Sequence, residues 1–196
     1  MPAIKTQRHS SKKEVIISKA AKLFREKSFS GTSMRDLAEA VGVEAASLYN
    51  HIQSKAEILQ VICFKVANIF MEHLERIEVN QQSSIEKIKD ILRFHIQHMI
   101  NNFEEVYVAD REWRHLNEPY LSNFKVQRKN YRQRIAAIIE NGIQKKELKS
   151  IDAPTAVLMM LHAISGIESW HRSKQKISAE QLEENMIVIL VEGLEK

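Results

Sequence analysis

The chain has little of what staples or anchors a protein. One cysteine, Cys63, occurs in 196 residues, which excludes an internal disulfide and any cysteine-built zinc cage. That usage fits a reducing compartment, so the cytoplasm is the expected location. No run of about eighteen apolar residues is present, and the N-terminal stretch MPAIKTQRHSSKK lacks the apolar segment of a signal peptide. Neither export nor a membrane partner is expected. There is no glycine-rich phosphate loop, no nucleophile elbow and no favourable Cys-His spacing. No catalytic residue and no cofactor are therefore assigned, and the chain is not expected to be an enzyme.

Prolines number three and glycines five, in a composition that is 44% apolar and 28% charged, so helix formers dominate an ordinary globular sequence. Negative charge is scarce at one end. Residues 1 to 60 hold ten Lys/Arg against six Asp/Glu, whereas 61 to 196 hold nineteen of each. The whole excess of +4 lies in the first sixty residues, which points that segment toward a polyanion and leaves the larger remainder for another task.

Helical periodicity recurs along the chain and strand alternation hardly appears, so an all-α fold is predicted. Ser11 with Glu14 reads as a capping box for a first helix that carries Ile16, Ala20 and Phe24 to Lys27. Ser33 with Asp36 opens a second, short helix, and Gly42 stands where a helix end favours a left-handed residue. Residues 44 to 51 form a third, with Leu48 inward, and Ser54 with Glu57 begins a long fourth helix to about residue 78. Two short helices joined by a glycine-containing turn form the helix-turn-helix pattern, whose second helix enters the DNA major groove. The small residues Ala45, Ala46 and Ser47 let that helix approach the duplex closely, while Tyr49, Asn50 and His51 supply polar tips for phosphates and base edges.

The stretch TSMRDLAEAVGVEAASLYNHIQSKAEIL, Thr32 to Leu59, resembles the DNA-binding signature of TetR-family transcriptional regulators. The resemblance covers about residues 10 to 70. It implies an N-terminal helix-turn-helix domain over 1–57, a connecting helix over about 54–78, and a helical effector-binding and dimerisation domain over 58–196. It also implies that Thr32 and Ser33 lie near the DNA backbone, that Ala45 to His51 form the recognition helix and that Lys55 meets a phosphate. Four positions depart from the usual pattern: Glu44 replaces a Ser/Thr cap, Ala45 and Ala46 stand where Lys/Arg and Gly are common, and Ile52 replaces Phe. With no arginine on the third helix the strongest guanine contact is missing there, which shifts weight to Asn50 on adenine and to thymine methyls.

Beyond residue 80, helical patterns run through Ile85 to Ile96, through Tyr131 to an end near Gly142, from Pro154 to Trp170, and from a Ser178–Gln181 cap onward. In the family the last two long helices form a dimer's four-helix bundle, and Ile164, Ile167, Trp170, Met186, Ile189 and Leu190 are the expected interface. Phe103, Tyr107, Trp113, Tyr131, Met159, Met160 and His162 are expected to line an effector cavity, with Arg111 or His115 as its polar handle. The C-terminal half loosely resembles family members that answer acyl-coenzyme A or other lipophilic ligands. A competing reading comes from Glu112 with His115 and Glu168 with His171, two Glu-x-x-His pairs of the kind that di-metal carboxylate oxidoreductases use. Twenty-one glutamates and eight histidines make such spacings common by chance, and Arg111, Arg114 and Arg172 set positive charge around them, so no metal is assigned there or at His95 with His98. The favoured expectation is a homodimeric regulator, a repressor released from a palindromic double-stranded operator by an apolar or amphipathic small molecule.

Overall fold

The computed structural model of the chain describes residues 12–173 and 177–192. Among these residues ten α-helices follow one another: α1 Lys12–Gly31, α2 Met34–Val41, α3 Ala45–Tyr49, α4 Lys55–Glu78 and α5 Ser84–Asn101. Then come α6 Phe103–Arg111, α7 Tyr120–Gln144, α8 Ala153–Ser165, α9 Ile167–Arg172 and α10 Ala179–Ile187, the last continued by a wider turn over Val188–Glu192. The all-α expectation holds. No described helix is long and apolar enough to cross a membrane.

The helix starts are written locally. Ser33, Ser54, Ser83, Asp152 and Ser178 each accept a hydrogen bond from the backbone N–H three residues on, satisfying a donor that a helix start leaves orphaned. Asp36 and Gln181 reciprocate on the backbone of Ser33 and Ser178, completing capping boxes. The Ser11 box lies outside the described residues. Gly42 takes φ 78 and returns its N–H to the carbonyls of Ala38 and Glu39, which ends α2.

Two helix ends follow the sequence-based expectation and one helix differs from it. The first regular helix stops at Lys27 as expected: Ser28 takes φ 64 and ψ 163, outside helical values, and a short helical stretch follows to Gly31. Helix α7 ends at Gln144, near Gly142 as expected, and at Gly142 the chain packs too closely for a side chain. A Cβ would fall 2.7 Å from Leu148 and 2.8 Å from Ser84. The predicted single helix from Pro154 to Trp170 is split at Gly166, where the N–H groups of Gly166 and Ser169 reach carbonyls only three residues back, a tighter turn that re-aims α9.

One continuous core links the two ends of the molecule. It runs from Phe24, Leu37 and Leu48 through Ile58 and Ile62 to Ile88, Ile91 and Ile139. Helix α4 carries this continuity, packing on α1 and also on α5, α6 and α7. Cys63 on α4 is fully buried, and burial pushes its thiol up to about 12, leaving it unreactive.

Candidate nucleic-acid interface and effector cavity

Helix α3 is a five-residue element whose one buried residue is Leu48. Its remaining surface turns outward: Ala45 is half-buried, and Ala46, Ser47, Tyr49, Asn50 and His51 are exposed. Tyr49 is 52% exposed, unusually open for a phenol in a chain with so full a core, and it extends beyond the small side chains that precede it. Ile52, buried just after α3, pins the far end. The outcome is a polar ridge held from beneath by Leu48 and Ile52, a shape that fits a groove.

The flanking positions divide. Ser33 is exposed at the start of α2, where its bond to Asp36 and the Lys27 ammonium 2.9 Å from that carboxylate hold Asp36 well below the usual carboxylate range, the Ser33 bond most strongly. Thr32 is buried, and its hydroxyl donates to the Ser28 carbonyl at 2.8 Å. Its side chain therefore faces inward, which corrects its expected place beside the DNA backbone. Lys55 donates to the carbonyls of Phe29 at 2.7 Å and Thr32 at 2.8 Å. An ammonium has three N–H donors, so one remains for a phosphate. Arg35, exposed in the first turn of α2, was not singled out by the sequence motif. The positive balance of the first sixty residues was the available signal.

Phe29 joins the reader to the larger body. The break at Ser28 takes its N–H out of the helical ladder, and the Glu112 carboxylate accepts it at 3.3 Å. Its ring lies 5.4 Å from that of His115 in a stacked arrangement, edge-on to Phe24 at 5.3 Å, and 4.4 Å from the Lys55 ammonium. Glu112 and His115 follow directly after α6, so the end of α6 rests on the turn that leads into α2.

A cavity of about 170 Å³ opens between α4, α5, α6, α7 and α8. Phe70, Met99, Phe124 and Ile164 give it a buried apolar floor. Within that floor His95 Nε2 and the Tyr131 hydroxyl are 2.6 Å apart, and the His95 ring stacks on Phe70 at 4.0 Å. Burial holds the imidazole down to about 3 and pushes the phenol up, so both are neutral near pH 7. The mouth is polar: Arg132 and His162 are exposed, and half-buried Arg128 pairs with Asp110 at 3.1 Å.

Of the expected cavity residues, Tyr131 and His162 line this space. Phe103, Tyr107 and Arg111, spaced four apart, share another face of α6, while Val106, Ala109 and Asp110 meet the cavity. Phe103 stacks on His171 at 4.1 Å, Tyr107 packs on Phe103, and Arg111 bonds Glu168 at 2.7 Å. Trp113 sits behind the wall against Phe124, with Arg114 and Arg128 over its ring, and His115 belongs to the Phe29 joint. Met160 is buried beside a far smaller void, and Met159 is 65% exposed. Periodicity marks which residues are apolar but not which face meets a void, and that is why the aromatic and methionine signal overreached.

The expected interface divides likewise. Ile164 and Ile167 are buried within the protomer, Ile164 against the cavity, which corrects their expected place between subunits. Trp170 is half-buried and donates to the Ile177 carbonyl at 3.0 Å. Met186 and Leu190 pack partly on the core, while Ile189 is 74% exposed. Leu158, Met159 and Val188 join it as exposed apolar residues of α8 and the C-terminal turn. Both Glu-x-x-His pairs are engaged in protein contacts, and Glu112 also lies 3.5 Å from His115. Glu168 bonds Arg111 and Arg172, His171 bonds the Met99 carbonyl, and Glu112 serves Phe29.

Comparison with known proteins decides the class. Residues 81–194 match the family described as "Tetracyclin repressor-like, C-terminal domain", and residues 16–62 match "Bacterial regulatory proteins, tetR family". The chain belongs to the tetR family. As a tetR-family member it is a DNA-binding transcriptional regulator. It is similar to the negative transcriptional regulator IcaR of Staphylococcus aureus, at 28% identity over 81% of this chain and 82% of that one. It is also similar to the transcriptional repressor KstR2 of Rhodococcus jostii, at 23% identity over 98% and 96%. The solved structure of AibR in complex with isovaleryl coenzyme A and operator DNA shares the fold, with a TM-score of 0.81 at 22% identity over 92% of this chain and 98% of that one.

Proposed function

We propose that this tetR-family regulator is a homodimeric repressor that leaves a palindromic operator when an apolar or amphipathic small molecule fills the cavity between α4 and α8. Residues 1–57 serve as the reader, 58–196 as the effector-binding and dimerisation body, and α4 as the connector. The chain works as a regulator and not as an enzyme, in the cytoplasm with its duplex. The carrying observation is that α6, which lines the cavity with Val106 and Ala109, ends at Glu112 on the backbone of Phe29. An occupied cavity that favours a displaced α6 shifts the population toward a state in which two recognition helices no longer match grooves about 34 Å apart. The ligand of AibR, isovaleryl coenzyme A, is an acyl thioester and supports an amphipathic effector.

In this reading the reader uses Ser33, Ala45, Ala46, Ser47, Tyr49, Asn50 and His51, with one donor of Lys55 and the Arg35 guanidinium on phosphates. The subunits meet through the exposed apolar residues Met159, Val188 and Ile189, aided by Met186 and Leu190. The test is a selection of genomic duplexes by the full-length protein at low salt, followed by challenge of the selected duplex with acyl-coenzyme A thioesters and lipophilic acids. Recovery of a two-fold symmetric sequence, and its release by at least one compound, is the expected result. A protein that retains no duplex at low salt is not a repressor.

A further inference from the structure

The cavity's floor holds one polar pair in an otherwise apolar setting, and that pair limits what can lie on it. His95 and Tyr131 come from α5 and α7, are joined at 2.6 Å, and both line the cavity. The imidazole plane is fixed against Phe70, 8° from parallel, so the pair is positioned before any ligand arrives. A phenol can donate one hydrogen bond and accept others, and a neutral imidazole has one donor and one acceptor nitrogen. With one bond between them satisfied, the phenol oxygen keeps capacity for another partner.

We infer that the effector carries an uncharged oxygen, a carbonyl or a hydroxyl, on the hydrocarbon end that enters the cavity, and that the Tyr131–His95 pair recognises it. When Nε2 carries the proton, it donates to the phenol oxygen and the phenol O–H is offered to a carbonyl. When Nε2 is bare, the phenol donates to it and its oxygen accepts from a ligand hydroxyl. Either arrangement keeps every group neutral, and the desolvation that lowers the pKa of the His95 imidazole, stacked on Phe70 and bonded to Tyr131, leaves no positive charge on the floor to meet a carboxylate. Any anionic part of the effector is left to the mouth, where Arg132 is exposed and Arg128 is half-buried. The size agrees, since about 150 Å³ is enough to bind benzene and the cavity measures about 170 Å³.

This assignment rests on the reading of the cavity as the effector site, and four probes with one ring separate the two claims. Full-length protein is titrated with 4-fluoroacetophenone, 1-(4-fluorophenyl)ethanol, 1-ethyl-4-fluorobenzene and 4-fluorobenzoate, and dissociation constants are read by fluorine NMR. At least one of the ketone and the alcohol should bind about threefold or more tightly than the hydrocarbon, as one added hydrogen bond implies, with the carboxylate weakest. Tyr131→Phe keeps the ring and should bring ketone, alcohol and hydrocarbon within about twofold of one another, while the hydrocarbon binds at least as tightly as before and reports an intact cavity. Equal binding of the first three probes by the wild type, tightest binding of the carboxylate, or an oxygen preference that survives Tyr131→Phe each overturns the inference while the cavity stands. Uptake of none of the four overturns both it and the cavity as effector site, and the duplex selection remains the separate measure of the repressor.

Discussion

The reader's α3 and the cavity of the larger body differ in how much chain each needs. Helix α3 takes its presenting surface from residues 45 to 51 and buries Leu48 beneath it, whereas the cavity gathers its wall from five helices between Val66 and Ser165. A contiguous ridge puts specificity in single side chains that change without disturbing their neighbours. A gathered wall puts it in packing, so a change at one position is felt by several helices. The Phe29 joint lets the second kind of site act on the first.

The sharpest way to break the contrast is to remove the ridge's support. Leu48→Ala deletes the buried side chain of α3, at a cost of about 2–5 kcal/mol for a large-to-small core change. Duplex binding should be lost while the probe hydrocarbon still binds the cavity. Retained operator binding in a gel-shift titration would show that α3 is held by something other than Leu48. Next in size is Ile189→Glu, which places a charge on the exposed apolar residues read as the subunit contact. Monomers in sedimentation with duplex affinity down tenfold or more are expected, since about 1.4 kcal/mol is a factor of ten. Ile167→Glu should instead unfold the protomer, because that side chain is 1% exposed, and a folded monomer from it would reverse the two assignments.

Asn50→Ala tests whether the ridge reads bases. It should flatten preference at one operator position by about 1–3 kcal/mol and leave binding to unrelated duplexes unchanged. Uniform loss across sequences would make Asn50 a phosphate contact. A smaller effect belongs to the cavity. His95 is held down to about 3 against an ordinary 6.5, so the unfolded chain takes its proton first, and its contribution to stability is complete above pH 6.5 and declines as pH falls toward 3. Between pH 6.5 and 5.5 the urea-unfolding free energy should drop by no more than about 1.4 kcal/mol on its account. His95→Gln should shallow that slope, with His73 and His98, also lowered by burial, supplying what remains.

What the sequence revealed follows the same divide. The caps at Ser33, Ser54 and Ser178, the proline in the first turn at Pro154 and the left-handed Gly42 are local chemistry, so the helix starts and the turn before α3 were readable. Leu48 as the inward anchor, with Tyr49 outward, follows from helical period. The end of the first helix at Lys27 was readable, but Thr32 was misplaced because its burial depends on the geometry of the break at Ser28, a conformation that serine rarely adopts. The pairing of His95 with Tyr131 joins residues thirty-six apart, and whether Phe103 faces the void or His171 depends on how α6 is rotated, which hydrophobic period leaves open. Gly142 and Gly166 look alike in sequence. One admits a close approach and the other splits a helix.

Cys63 has a practical consequence. Its thiol is enclosed and pushed up to about 12, so thiol-directed labels have no ready target in the native protein. A single cysteine introduced at exposed Ser47 would be the one reactive handle per protomer, with no background to engineer away. In a homodimer that one substitution places two spin labels, one on each recognition helix. Their separation, measured with and without a cavity ligand, would report the distance between the readers directly.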